Sequence, residues 1–540
     1  MKPIKRRLSL LLALCMALTL CACGTAEPEH MTIRAALADA PHTLDPAMAV
    51  TESEKTVAAQ LFENLMKPTA TGGVMPAQAS GYTYVDNMDG TETYTFTLRN
   101  DIYWSDGQKV TAHDFAYAWQ RLVDPETNSP HASILNMVAG YADAVSGDPA
   151  ALQAWANDDR IFVVVINGHC SYFLSVVCTA VSTMPVRASV TQPQEGEGTA
   201  GDWSMSSDTL LTNGPYAVPA MDQDGLTAVA VSRYYDARRL GPDRLEFRYA
   251  AGSGEAMAMY ENDQADFVLD AGQAEGAVEA SSSAVSVVLV NQMAASLSES
   301  MRQAMSLVID RNALAELAVT GDEVYRAAAG LIPDGITNAQ GQSFRQANGA
   351  AIDNDPEKYQ QRCDEAVDLL RGAGYTATVL EHMVPVTLLY ESTGANAKVA
   401  AALQTAWRDK LGIRVTLRAV TGEELLTALR SGEFSLALTN VNGDRNTALG
   451  YLNRFSSGQT ENYGQFYSNA YDILIRTAAN SSSDEARDAY LADAETMLLE
   501  SGYVMPLYNE TYTYLLRPTL TGLHTDGMGV YYFQNVVKAA

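Results

Sequence analysis

Basic residues are scarce in this chain of 540 residues. It contains 36 Lys and Arg against 64 Asp and Glu, so its formal net charge at pH 7 is −28. Nucleic-acid binding requires clustered Lys and Arg that neutralise phosphates, and attachment to anionic lipid headgroups requires the same residues. The charge therefore argues against nucleic acid as a partner and against electrostatic adhesion to a membrane. It is typical of a soluble exported protein.

Cysteine and histidine are also few, with six and seven residues. Beyond residue 30 there are three cysteines, Cys170, Cys178 and Cys363, and an odd number cannot form a complete set of disulfides. Their spacing matches no zinc-binding pattern, so we expect buried free thiols. Each histidine lies more than four residues from the next, which leaves no local pair of metal ligands. We therefore predict neither a bound metal nor another cofactor.

Catalytic signatures are missing as well. The chain has no G-x-S-x-G, no H-E-x-x-H and no G-x-x-x-x-G-K-[ST] pattern. We therefore expect a binding protein rather than an enzyme. A secreted hydrolase stays an alternative, because the two carboxylates of a glycosidase have no local signature and could lie among the many acidic residues.

The N-terminus has the pattern of an export signal. Basic residues at positions 2, 5, 6 and 7 precede an apolar run at 8–20, which is too short for an ordinary membrane span. The run ends in Leu20-Cys21-Ala22-Cys23, which resembles a bacterial lipobox with Cys23 as the lipidated residue. We expect a signal peptide at 1–22, a lipidated tether at 23–31 and a position on the extracytoplasmic face of the bacterial cell membrane. Cleavage without lipidation is the alternative.

The body of the chain alternates between strand and helix patterns. Between 386 and 440, strands at 386–390, 413–417 and 434–438 alternate with two helices. This order predicts parallel strands joined by right-handed crossovers. Ligands of such sheets bind at the carboxyl ends of the strands, so we expect the segment after Leu438 to lie near a ligand. Helices are predicted at 52–66, 115–122, 299–309, 358–373, 395–411 and 423–430.

Several short phrases occur in an order that resembles a known family. They are Leu44-Asp45-Pro46, Leu61-Phe62-Glu63-Asn64-Leu65, the strand 94–99 with Trp104-Ser105-Asp106-Gly107, the segment 111–125, Asn213-Gly214-Pro215-Tyr216 and the segment 302–311. Behind a lipobox, this set resembles the bacterial extracellular solute-binding protein family 5, whose members bind oligopeptides, dipeptides or nickel for ABC importers. The resemblance covers about 30–540, and the length fits the oligopeptide branch.

The resemblance implies an α/β fold of the two-lobed periplasmic-binding-protein type (class II, extended three-domain form), with a hinge and a ligand cleft between the lobes. Domain I would comprise 32–69, 206–279 and 501–540, domain II 70–205, and domain III 280–500. The implied function is capture of short peptides and their delivery to the permease subunits of an ABC transporter, by a monomer. A nickel chelate or an oligosaccharide is the alternative ligand.

The resemblance also implies ligand contacts. In peptide-binding members, an Asp after a strand of the second lobe receives the ligand α-ammonium, and Asp444 matches this position. The alternative is that Asp444 caps a turn. Asn440 and Asn442 lie beside it, and His131 and Ser53 match further positions near the ligand. His131 could instead be a surface turn residue, and Ser53 could cap a helix.

Overall fold

A computed structural model describes residues 31–539 except for 70–73, 169, 171, 192–202, 294–296, 321–323, 339–341, 444–446, 460, 482 and 527–528. For residues 281–283 and 484 it describes only the backbone. The expected signal peptide, the lipidation site Cys23 and the expected anchor Asp444 lie outside the described residues.

Helices and strands alternate along most of the described chain. The α-helices are α1 (Glu52–Leu61), α2 (Ala112–Val123), α3 (Tyr141–Ala144), α4 (Ala188–Thr191), α5 (Ser253–Glu261), α6 (Glu299–Leu307), α7 (Arg311–Ala318), α8 (Phe344–Asn348), α9 (Tyr359–Gly372), α10 (Ala377–His382), α11 (Asn396–Ala406), α12 (Gly422–Ser431), α13 (Ala448–Leu452), α14 (Asn469–Ala479) and α15 (Asp484–Glu500). The strands are β1 (Thr32–Leu37), β2 (Met66–Pro68), β3 (Val74–Pro76), β4 (Ala79–Asp86), β5 (Thr91–Leu98), β6 (Ala154–Asp158), β7 (Ile161–Asn167), β8 (Tyr216–Asp222), β9 (Gly225–Ala230), β10 (Arg244–Tyr249), β11 (Phe267–Leu269), β12 (Val278–Val290), β13 (Val324–Ala327), β14 (Val386–Glu391), β15 (Val415–Val420), β16 (Leu436–Asn442), β17 (Val504–Leu516), β18 (Leu520–Thr521), β19 (His524–Thr525), β20 (Tyr531–Tyr532) and β21 (Val537–Lys538).

One mixed sheet organises the described chain. Its 11 strands follow the order β15-β14-β16-β12-β17-β11-β1-β10-β9-β8, and β13 also pairs with β17. At one end, β14 lies parallel to β15 and β16. At the other end, β1 lies parallel to β10 and β11. The parallel arrangement predicted between 386 and 440 is therefore confirmed.

Two long strands, β12 and β17, join the two ends of this sheet. They are antiparallel to each other over most of their length, with register shifts between Ser281 and Val285 and between Ser286 and Val287. The buried apolar residues form separate cores on either side of this pair. The largest core takes its residues from 33–280 and 530–536, and two others come from 285–508. We call these parts the first and the second lobe, and we call β12 with β17 the ribbon.

A second sheet, of order β4-β5-β7-β6, completes the first lobe. Its inner face packs against α2 through aromatic side chains: Trp119 meets Phe162 edge to face at a centroid distance of 5.2 Å. The indole of Trp119 donates a hydrogen bond to the carbonyl of Thr183. Thr111 and Asp114 form a capping box at the start of α2. The domain boundaries within the first lobe stay a prediction.

The helix predicted at 52–66 is wrong over its last five residues, since α1 ends at Leu61. Side chains distant in sequence satisfy the backbone beyond this point. The N–H of Glu63 donates to Asn213 Oδ1 at 3.1 Å, and Met66 begins a strand. Tertiary hydrogen bonds thus replace the helical ones that periodicity alone would continue.

Other predictions from sequence are confirmed in the described residues. Cys170, Cys178 and Cys363 are buried and form no disulfide. Helix α9 matches the helix predicted at 358–373 within one residue at each end. Within the described part of the chain, no helix is both long and apolar enough to cross a membrane.

Candidate ligand-binding cleft

The strands of the two lobes run in such directions that their carboxyl ends face each other along the ribbon. In the first lobe, β11 ends with Leu269 paired to Tyr514 of the ribbon, and β1 runs parallel to it. In the second lobe, β16 ends with Val441 and Asn442 paired to Val285 and Ala284 of the ribbon. Val285 also pairs with Asn509 of β17, whereas Leu269 pairs with Tyr514 of the same strand. The two sets of carboxyl ends are therefore five residues of β17 apart, which is about 16 Å of strand. Carboxyl ends of parallel strands are the usual ligand sites of α/β sheets.

The first-lobe wall of this cleft is the loop that follows β1, together with the start of α1. Thr51 caps the helix, and its side chain forms a capping box with Glu54. The Glu54 carboxylate also accepts hydrogen bonds from the backbone N–H groups of His42 and Val50. One buried carboxylate therefore holds both ends of the loop. The Thr51-x-x-Glu54 spacing is the sequence pattern of such a capping box.

Ser53 lies in the first turn of α1 and is fully buried. Its hydroxyl donates a hydrogen bond to the carboxylate of Asp39 in the same loop. The helix cap is Thr51, so the alternative role of Ser53 as a helix cap is wrong. Its contact with a ligand stays a prediction.

His131 holds the same loop from outside. Its ring Nε2 lies 2.8 Å from the carbonyl oxygen of Ala49, and the neighbouring Ser129 hydroxyl donates to the carbonyl of Ala47. Burial lowers the pKa of His131 below its usual value, so the ring is neutral at pH 7 and can donate from Nε2. Ser53 and His131 thus belong to one wall, and His131 is tied to the loop rather than free at the surface.

A buried acidic group completes this wall. Glu52 is the first residue of α1, and its Oε1 is buried without a hydrogen-bond partner. Burial raises the pKa of Glu52 well above its usual value, and the negative charges of Asp270, Glu510 and Asp526 raise it further, whereas Lys55 lowers it. Asp270 directly follows β11 and has a positive φ of 60°, a backbone strain that is often found at ligand sites. Sequence patterns carry no sign of this group.

The second-lobe wall is the end of β16. Asn440 and Asn442 are exposed and Val441 between them is buried, so the two amides share one face of the strand. The sequence predicts that this strand ends at Leu438; this bound is wrong, because pairing with β12 continues to Asn442. Asp444, which follows Gly443, lies outside the described residues, and its role stays a prediction.

Gly443 is where the chain leaves β16. A Cβ at this position would collide with the ring of Tyr451, which is fully buried. The backbone carbonyl of Asn442 accepts a hydrogen bond from Arg454 Nη1. Packing and hydrogen bonding therefore fix the backbone at the end of β16.

The structure thus groups the predicted contacts on two walls. Ser53 and His131 lie on the first-lobe wall, while Asn440 and Asn442 lie on the second-lobe wall. Among the described residues, no three or more His, Cys, Asp or Glu side chains are placed to hold a metal ion.

Comparison with known proteins gives relatives over nearly the whole chain. The probable deoxycholate-binding periplasmic protein YgiS of Escherichia coli is 27% identical and covers 92% of this chain and 92% of its own length. The periplasmic murein peptide-binding protein MppA of Escherichia coli is 26% identical, with coverages of 92% and 91%. The periplasmic oligopeptide-binding protein OppA of Salmonella typhimurium is 26% identical, with coverages of 89% and 87%.

Solved structures share the fold. MppA in its unliganded open form matches with a TM-score of 0.78 at 24% identity, covering 95% of this chain and 98% of that chain. Haemophilus influenzae OppA in complex with RPPGFSPFR matches with a TM-score of 0.65 at 23% identity, covering 95% and 99%. The family model for bacterial extracellular solute-binding proteins, family 5 middle, matches residues 73–463. Since this match spans more than half of the chain, the chain belongs to the bacterial extracellular solute-binding proteins of family 5.

Proposed function

We propose that the protein captures short peptides in the cleft between its lobes and delivers them to the permease subunits of an ABC importer. The observation that carries this proposal is the opposition of strand carboxyl ends across the middle of the ribbon. A ligand placed there can contact both walls, and rotation of the lobes about the ribbon would enclose it. The names of MppA and OppA, which refer to peptide binding, support a peptide as the ligand.

An extended peptide suits a cleft lined by strand ends. Its main chain can pair with exposed backbone in the manner of an added strand. The amides of Asn440 and Asn442 offer both donors and acceptors for such a main chain. Asp444 would receive the α-ammonium, because a carboxylate and an ammonium form a charge-assisted hydrogen bond in an enclosed site.

The location follows from the N-terminal pattern. We expect a monomer on the extracytoplasmic face of the bacterial membrane, held there through lipid on Cys23. We also expect binding without chemical turnover, since MppA and OppA are named as binding proteins. Products released from peptides or glycans in proportion to purified protein would instead favour a hydrolase.

The first prediction tests the amine anchor. Short peptides with a free amine should raise the melting temperature of the protein by mass action, and N-acetylated copies should raise it less. Asp444→Asn should weaken binding of the free peptides by about 2–5 kcal/mol and should abolish the difference between the two sets. Binding is measured by calorimetry.

The control is Asp364→Asn, which removes an exposed acid from the surface of α9. Equal binding of free and acetylated peptides by the unmodified protein would contradict the anchor while leaving peptide binding in place. A lack of stabilisation by any short peptide would contradict the proposed function.

A second candidate ligand is a steroid carboxylate, because YgiS is named for deoxycholate. The acidic residues around Glu52 oppose it, since like charges repel. Deoxycholate, a nickel chelate and an oligosaccharide should therefore be included in the same thermal assay. Stabilisation by one of them alone would replace the peptide as the ligand.

A further inference from the structure

The two faces of the ribbon look toward different parts of the molecule. Side chains alternate between the faces along a strand, and residues that pair directly lie on the same face. Tyr514 marks one face, because its ring packs against the ring of Tyr531 at a centroid distance of 5.3 Å. The backbone N–H of Tyr531 in turn donates to Thr56 of α1. This face therefore lies toward α1, whose start forms the first-lobe wall of the cleft.

The second-lobe wall lies toward the same face. Asn509 is five positions before Tyr514, so alternation places it on the opposite face. It pairs with Val285, and Val285 pairs with Val441 of β16. Val441 therefore points to the opposite face, whereas the two amides of the second-lobe wall, one on either side of it, point to the face of Tyr514. We call the face that both walls share the front face, and the other one the back face.

An ion pair lies on the back face. Glu279 of β12 pairs with Thr513, and Arg326 of β13 pairs with Asn509, so both charged side chains belong to this face. The guanidinium and the carboxylate form two hydrogen bonds: Nε donates to Oε2 at 3.2 Å, and Nη2 donates to Oε1. Because Thr513 and Asn509 are four positions apart, the pair spans about 13 Å of strand.

The two partners of this pair belong to different lobes. Ala280, next to Glu279, is part of the first-lobe core, whereas Ala328, directly after β13, is part of a second-lobe core. Between the partners the ribbon is irregular, since three residues of β12 between Ser281 and Val285 lie opposite one residue of β17. Such a bulge interrupts the ladder of hydrogen bonds and bends the strand. The ion pair therefore spans the point at which the ribbon bends most easily.

The pair also borders open space between the lobes. A cavity of about 450 Å³ is lined by the loop after β11 in the first lobe, at Gln273 and Ala277, and by α7 in the second lobe, at Glu316 and Val319. Glu279 and Arg326 line the same cavity. Because space rather than packed side chains separates the loop from the helix, the distance between them can change without a steric clash. The ion pair is thus a direct link across a gap.

Closing the front face must open the back face, because the bend lies between them. Rotation of the lobes around a ligand would therefore draw Glu279 away from Arg326. We propose that the Glu279–Arg326 ion pair is a strut that stabilises the lobe arrangement described here against closure and so weakens peptide binding. The proposal rests on the proposed function, in which the lobes close around a peptide, and it adds a device that sets the affinity.

The size of the effect follows from the exposure of the pair. The side chains of Arg326 and Glu279 are 55% and 46% exposed, and ion pairs of this kind contribute modestly. The apparent affinity of a protein that must change shape is reduced by the fraction of molecules in the competent form. Loss of the strut raises that fraction, so every peptide should bind about two- to fivefold more tightly.

The test measures binding of Ala-Ala-Ala and of its five-residue homologue by calorimetry. Arg326→Gln and Glu279→Gln should each tighten binding, and by the same factor for both peptides, because the strut acts on closure and not on the ligand. The double variant should bind no more tightly than either single variant, since each substitution already breaks the one link.

The matched control is Lys358→Gln. It breaks the ion pair of Lys358 with Asp353, whose side chains are 54% and 48% exposed. Both partners belong to one short segment of the second lobe, so their distance does not depend on how the lobes are arranged. This substitution should leave both affinities unchanged.

Three results would overturn the strut. They are unchanged or weaker binding by Arg326→Gln and Glu279→Gln, a gain for one of the two peptides only, and gains that add up in the double variant. In each case binding of the peptides by the unmodified protein would leave the proposed function in place. If neither peptide bound the unmodified protein, the proposed function would fail and the strut with it.

Discussion

Glu52→Gln should make the unliganded protein more stable at neutral pH. The substitution replaces a carboxylate whose Oε1 is buried without a partner by an uncharged amide of nearly the same shape. Because Asp270, Glu510 and Asp526 add negative charge around it, the ionised form is the unfavourable one.

The magnitude can be bounded from the surroundings. Glu52→Gln removes the buried charge but keeps a buried polar atom, so the gain is the free energy by which burial raises the pKa of Glu52. A rise of one pH unit in a pKa corresponds to about 1.4 kcal/mol. Glu52 lies at the N-terminus of α1, where the helix dipole returns about 0.3–1 kcal/mol to a negative charge. The net gain from Glu52→Gln should therefore be about 1–2 kcal/mol at pH 8.

The gain should depend on pH in a defined direction. The ordinary pKa of this carboxyl is 4.5, and burial raises the pKa of Glu52 well above that value in the folded protein. Between the two values the folded protein keeps a proton that the unfolded chain has released, so its free energy of unfolding falls as the pH rises. The variant has no such proton, and its advantage should grow from near zero below pH 4.5 and level off above the folded pKa.

Urea unfolding at pH 4.5, 6, 7 and 8 measures this advantage. Glu299→Gln is the control, because Glu299 is also the first residue of its helix, α6, and is exposed. It should show a small difference of constant size. An advantage for Glu52→Gln that stays flat with pH, or a variant that is less stable at pH 8, would refute the reasoning.

Two further predictions concern the second lobe and the N-terminus. Glu495→Ala should destabilise the protein by about 3–5 kcal/mol in urea unfolding, because it leaves the buried guanidinium of Arg345, which lies 2.5 Å from Glu495 Oε1, without its charge partner. The control Asp368→Ala breaks the exposed pair with Arg371 and should cost less than about 1 kcal/mol. Equal effects of the two substitutions would contradict the role of burial. Cys23→Ala should abolish labelling by radioactive palmitate and release the protein from membranes in cell fractionation, whereas labelling that persists would contradict lipidation at Cys23.

Local patterns predicted local structure well. The helix start at Thr111 and Asp114 needs contacts only within one turn, and the capping box is present. The alternation of strands and helices between 386 and 440 predicted parallel pairing, which β14, β15 and β16 show. The buried state of Cys363 and the other two thiols also followed from their type and number. In each case neighbouring residues decide the outcome.

Predictions failed where contacts with distant segments of the chain determine the local structure. Helical periodicity continued to Met66, but Asn213, about 150 residues away, hydrogen-bonds the backbone at Glu63 and the helix ends earlier. The pattern predicted a strand end at Leu438, but the pairing of Asn440 with Ser286 of β12 continues the strand. The role of His131 in holding the loop at Ala49 also depends on a contact between segments that sequence patterns do not connect.

The amino-acid sequence by itself determined the family, the absence of familiar catalytic motifs, and the position of most helices and strands, because motif order and periodicity are properties of short segments. Only the tertiary structure decided that Oε1 of Glu52 is buried without a hydrogen-bond partner. Its burial and its pKa depend on Asp270, Glu510 and Asp526, which lie more than 200 residues away along the chain and reach it through the pairing of β11 with β17. Electrostatic repulsion and loss of hydration act through space, so their effect on Glu52 exists only after the chain has folded.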